Sequence, residues 1–112
     1  MRFAPRHARD DYRSAAAAAN TALKAGKTVW WAADLCGADY YGVALALEPM
    51  VPGKAFLSIN LDPEKAARLP QPDLVVLSKT DLFDAGGGVQ RLLGAGAYRK
   101  KYSFPAFTLW EK

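Results

Sequence analysis

Acidic residues and their neighbours gather at two stretches that a folded chain could bring together. Asp34 ends the apolar run Val29-Trp30-Trp31-Ala32-Ala33, and Asp39 follows a short turn later, beside Tyr40 and Tyr41. Asp81 closes Ser78-Lys79-Thr80, which leaves a second apolar run, Leu74-Val75-Val76-Leu77. Carboxylates meeting at one place could act as an acid pair or hold a divalent cation. The same aspartates could instead satisfy turn and cap amides in their own loops. An exposed Tyr40 beside Asp34 and Asp39 would suit a sugar ring by stacking and hydrogen bonding. The candidate ligand-binding set is therefore Asp34, Asp39, Tyr40, Lys79 and Asp81. No catalytic residue, metal ligand or cofactor site is assigned. Cys36 is the single cysteine and His7 the single histidine, far apart in the chain, so no Cys-His nucleophile is in view.

Three other fragments have the look of phosphate chemistry. Gly26-Lys27-Thr28 resembles the end of a P-loop, and Ser78-Lys79-Thr80-Asp81 the guanine-reading segment of small GTPases. A P-loop needs a glycine five residues before its Gly-Lys, where this chain has Thr21, and it must run from strand to helix. Here Gly26-Lys27-Thr28 closes a helix and opens a strand, so its amides do not face a phosphate. Gly86-Gly87-Gly88 could expose amides to an anion, but Asp84 just before it can occupy the same positive helix end.

The elements that must position these residues alternate. A helix is expected from Asp10 or Asp11, as N-cap, to about Ala25, carried by the alanines 15–19 and stopped by Gly26. Tyr12, Ala15, Ala16, Ala19 and Leu23 share one face. A strand over 29–33 follows, with Trp30 and Trp31 on opposite faces, then a helix over 38–47 and a strand over 54–61. Asp62-Pro63-Glu64 is a helix start, with a cap, a proline and an acidic first turn; Pro70 and Pro72 end that helix by Leu69. Residues 73–78 read as a buried central strand. A helix capped by Asp84, an edge segment over 98–102, and a final strand over 104–110 held at an edge by Pro105 complete the order. This alternation predicts a small Rossmann-like α/β sandwich with a mostly parallel sheet of four to five strands. Ligands in such folds gather at the carboxyl ends of strands, the end that Asp34 and Lys79 occupy.

A chain of 112 residues, 51% hydrophobic and 23% charged, suits one globular domain, expected over 10–112 after a basic leader at 1–9. No stretch reaches the ~20 apolar residues that cross a bilayer. The start is too basic and broken for a signal peptide. The formal charge of +4 collects at Arg2, Arg6, Arg9 and Arg13 and at Arg99, Lys100 and Lys101. Tyr98 and Tyr102 flank the second group, as in a nucleic-acid surface, but a solvated basic edge, or one facing anionic lipid, is the reading adopted, with no nucleic-acid partner.

Three segments together carry a resemblance: residues 10–16 (Asp-Asp-Tyr-Arg-Ser-Ala-Ala), residues 29–34, and residues 37–42 (Gly-Ala-Asp-Tyr-Tyr-Gly). Residues 73–79 and Phe104-Pro105-Ala106-Phe107 fit the same plan. The chain resembles the soluble extracytoplasmic region after the last membrane span of bacterial polytopic glycosyltransferases. These are relatives of protein mannosyltransferases and aminoarabinose transferases that use polyprenyl-phosphate sugars. The resemblance implies membrane spans encoded upstream of Met1, a periplasmic location, and a non-catalytic role contacting acceptor glycan or lipid-linked donor. Those enzymes carry their catalytic acids in a loop between early spans, so none is carried over. The rival expectation is a free-standing cytoplasmic module binding a small anionic ligand or a partner protein. A small enzyme using Asp34 and Asp81 is a third.

Overall fold

The computed structural model describes the backbone of residues 4–48, 51–103 and 107–112, and their side chains except at 4–12, 35–37, 81 and 82. The first helix, α1 (Ala4–Lys24), begins six residues before Asp10. Pro5 falls in its first turn, where the missing amide has no intrahelical partner to lose. Asp10 and Asp11 therefore lie inside the helix and do not cap it. Ala15, Ala16 and Ala19 are buried, so the helix lies close to the sheet through its smallest side chains. Gly26, at φ +80°, ends it as expected: the Lys27 amide donates to the Ala22 carbonyl (2.9 Å) and the Gly26 amide to Leu23 (3.1 Å).

Next come β1 (Val29–Ala32) and α2 (Leu35–Tyr40). The helix expected over 38–47 is corrected to this shorter one. Gly42, at φ +77°, stops it, with the Val43 amide donating back to Ala38 (2.8 Å). The chain then enters a two-residue strand, β2 (Leu45–Ala46), which pairs with β3 (Ala55–Leu57). The Asp62 side chain caps α3 (Pro63–Arg68), accepting from the Lys65 amide at 2.9 Å. The chain goes on through β4 (Leu74–Leu77), α4 (Thr80–Phe83), α5 (Gly88–Gly94), β5 (Arg99–Ser103) and β6 (Thr108–Glu111).

The sheet is mixed and has six strands, ordered β2-β3-β1-β4-β6-β5, where four to five were expected. The pairs β2–β3, β3–β1 and β1–β4 are parallel; β4–β6 and β6–β5 are antiparallel. The final strand is also corrected, since β6 has neighbours on both sides and β5 takes the edge. Pro105 lies outside the described residues. The exposed edge β5 carries Arg99, Lys100 and Lys101 and shifts register between Lys100 and Tyr102, two devices that discourage strand addition.

Both faces of the sheet are covered. One core joins Trp31, Val29, Val76 and Leu109 to α1, to Ala38 of α2 and to Phe107. The other joins Trp30, Phe56, Val75 and Leu77 to Ala66 of α3 and to Val89, Leu92 and Leu93 of α5. Adjacent residues Trp30 and Trp31 thus anchor opposite cores, as strand alternation requires. At the amino edge of the sheet, Asp73 clasps the entry to β1. Its carboxylate accepts from the Thr28 amide (3.0 Å) and hydroxyl (3.2 Å), while its amide donates to the Thr28 carbonyl (2.9 Å). Nearby, the buried Tyr98 hydroxyl donates to the Pro72 carbonyl at 2.6 Å. Burial, and then the charge of Asp73, pushes the Tyr98 pKa up to about 12.

Candidate functional site

Three strand ends meet at the carboxyl edge: β1 in the middle, β3 on one side and β4 on the other. Ala32 pairs with Leu77 at the last step of the register, and Asp34 and Lys79 each follow two residues further along the chain. The Ser78 amide donates to the Ala32 carbonyl (3.0 Å), which carries the pairing past the last strand residue. On the other side the Ser58 amide reaches the Trp31 carbonyl at 3.0 Å. The chain leaves β1 into α2, which packs on the first core, and leaves β4 toward α5, which packs on the second. Two neighbouring parallel strands whose following helices diverge to opposite faces leave a crevice between their ends, the usual binding place in open α/β sheets.

Asp34 is half-buried there, in a turn fixed by the Trp31 indole, which donates to the Asp34 carbonyl at 3.2 Å. Lys79 is exposed, at φ 30° and ψ 77°, and it stands where an N-cap side chain would accept a bond that lysine cannot accept. Asn60, just past β3, is also at positive φ, 54°. Among the described residues these are the two non-glycine positions with positive φ; one follows β4 and the other β3, the two neighbours of β1. Asparagine tolerates this conformation; lysine does so less readily. Ser58 adds a third anomaly: it is fully buried, and its hydroxyl oxygen has no hydrogen-bond partner.

Not every expected residue joins this crevice. α2 carries Asp39 and Tyr40 about 8 Å along its axis from Asp34. Both are exposed, Tyr40 to 80%, with its ring edge-on to Tyr41 at 4.8 Å between centroids. Asp81 lies in α4 at the crevice's β4 side, but its side chain, like that of Cys36, lies outside the described residues. Among the described residues, no group of three His, Cys, Asp or Glu side chains converges as a metal site.

The triple glycine is a structural turn. The buried Asp84 carboxylate accepts from the Val89 (3.0 Å) and Gln90 (2.8 Å) amides, so it fills the positive end of α5. The Gly88 amide goes to the Leu61 carbonyl at 3.1 Å. A Cβ at Gly88 would stand 2.5 Å from that oxygen, and one at Gly86 2.7 Å, so close backbone approach explains these two, and φ +77° explains Gly87. The Asn60 side chain accepts from the Ala85 amide at 2.8 Å and ties this turn to the end of β3.

Sequence reasoning passed over Ser58 and Asn60. The signal was present in the alternation of Phe56, Ser58 and Asn60, which puts a hydroxyl on the face that buries Phe56. Comparison with protein-family models, curated proteins and solved structures gives no match.

Proposed function

We propose that the chain is a non-catalytic binding domain whose ligand lies in the crevice between the carboxyl ends of β1 and β4. The observation that carries this reading is the strained backbone of Lys79, at φ 30°, two residues past the pairing of Leu77 with Ala32 at the end of β1. Backbone strain persists where surrounding structure holds it, and it concentrates at ligand sites. The half-buried Asp34 supplies an acceptor for ligand hydroxyls, and Lys79 a cation for an anionic group. The reading takes the fold as Rossmann-like with a mostly parallel sheet, supported by three consecutive parallel pairings and by helices on both faces.

The resemblance supplies the context. In it the domain belongs to a polytopic membrane glycosyltransferase, works at the extracytoplasmic face of the inner membrane, and contacts acceptor glycan or a lipid-linked sugar donor. Exposed Tyr40 would present an aromatic surface to a neighbouring part of such a glycan. A second reading, favoured by the exposed ammonium of Lys79 at the crevice, is a free-standing cytoplasmic module for a small anionic ligand.

An immunoblot of the native gene product separates these contexts. A membrane-bound band several times larger than 12.2 kDa is the expected result. A band at 12.2 kDa that stays out of the membrane fraction overturns the glycosyltransferase context and favours the free-standing module.

A further inference from the structure

A cleft of about 330 Å³ opens at the amino edge of the sheet, the side opposite the crevice. It is bounded by the loops that enter β1, β3 and β4. Its apolar wall is formed by Trp30 and Phe56, packed edge to face with centroids 5.6 Å apart, together with Val29 and Pro70. Three exposed lysines, Lys24, Lys27 and Lys54, stand at its margin, and no carboxylate lines it. Among the described residues none of the three forms an ion pair; the one salt bridge joins Lys101 to Glu111. The carboxyl end of α1 contributes about half a negative charge nearby, which three ammonium groups outweigh.

An apolar cleft at the small end of the ligand-pocket range, with three lysines in its lining against the one Asp73 carboxylate bonded to lining residue Thr28, selects by shape and by net positive charge. We propose that this cleft binds a small planar apolar molecule carrying one anionic group, an aromatic carboxylate or phosphate. The ring lies against the wall of Trp30, Phe56 and Pro70, and the anion stays at the mouth among Lys24, Lys27 and Lys54. Lysines at a solvent-exposed mouth act as point charges, which fits either anion and does not demand the bidentate geometry of arginine. This site stands independently of the crevice, since it shares no residue with it.

The test is an NMR titration of the ¹⁵N-labelled full chain with 1-naphthyl phosphate, with 1-naphthoate and with neutral 1-naphthol. The expected result is saturable binding of at least one anion, with shifts at the Gly26, Gly53 and Trp30 signals. Neutral 1-naphthol should bind roughly tenfold more weakly, as should the anion to a Lys27→Glu/Lys54→Glu variant. Lys65→Glu/Lys100→Glu, an equal charge change at exposed lysines on α3 and β5 outside the cleft, serves as the control and should leave binding unchanged. Saturable binding of either anion at these signals supports the site. Equal binding of 1-naphthol overturns the proposal, as do shifts confined to other regions, or a double variant that keeps its fold by circular dichroism and binds like the parent.

Discussion

The two edges of the sheet are built in opposite ways. At the amino edge polar groups are matched: Thr28 and Asp73 exchange backbone and side-chain hydrogen bonds, Tyr98 reaches Pro72, and the Lys112 amide reaches the Asp73 carbonyl at 3.1 Å. At the carboxyl edge the chain carries two non-glycine residues at positive φ and one buried hydroxyl without a partner. The first edge ties β1 to β4. The second keeps features that cost stability, next to the place where an open α/β sheet receives ligands. Substitutions at the two edges should therefore change stability with opposite signs.

The largest expected effect lies at the amino edge. Asp73→Ala removes the acceptor for the Thr28 amide and hydroxyl and should lower unfolding free energy by about 2 kcal/mol, read from urea denaturation. Tyr98→Phe deprives the Pro72 carbonyl of its donor and should cost about 1 kcal/mol. It also tests the pH dependence. The folded Tyr98 pKa of about 12 lies above the ordinary 10.0, so the fold favours the neutral phenol. That stabilisation is complete below pH 10 and is lost as pH rises through 12. The parent should show this alkaline loss, and Tyr98→Phe should reduce it. At the carboxyl edge, Lys79→Gly relieves the positive φ and should raise stability by about 1 kcal/mol, less the extra freedom glycine gives the unfolded chain. The smallest effect belongs to Ser58→Ala, which removes an unpaired buried hydroxyl and should be neutral or stabilising by about 0.5 kcal/mol. A clear loss of stability in Ser58→Ala would remove that residue from the contrast.

Local chemistry made part of this fold legible in advance. The apolar runs at 29–33 and 74–77 became central strands, Asp62-Pro63-Glu64 started a helix, and Trp30 and Trp31 faced opposite cores. Asp34 and Lys79 were placed at strand ends because an apolar run followed by polar residues marks that boundary. The parts that escaped depend on distant partners. Residues 45–46 pair with β3 although their composition also suits a helix, so tertiary pairing overrode local preference. The placement of β6 inside the sheet is set by its pairing with β4 and β5 and not by its own residues. Nothing local marks Lys79 as strained, since its φ follows from the sharp exit of β4 into α4. The lysine cleft joins residues from 23–30, 51–56 and 70, and no single segment contains it.

The most direct test of the central contrast is paired urea denaturation of Asp73→Ala and Lys79→Gly against the parent chain. The expected result is a lower unfolding free energy for Asp73→Ala and a higher one for Lys79→Gly. Destabilisation by both substitutions would contradict it, because the carboxyl edge would then hold the fold together just as the amino edge does.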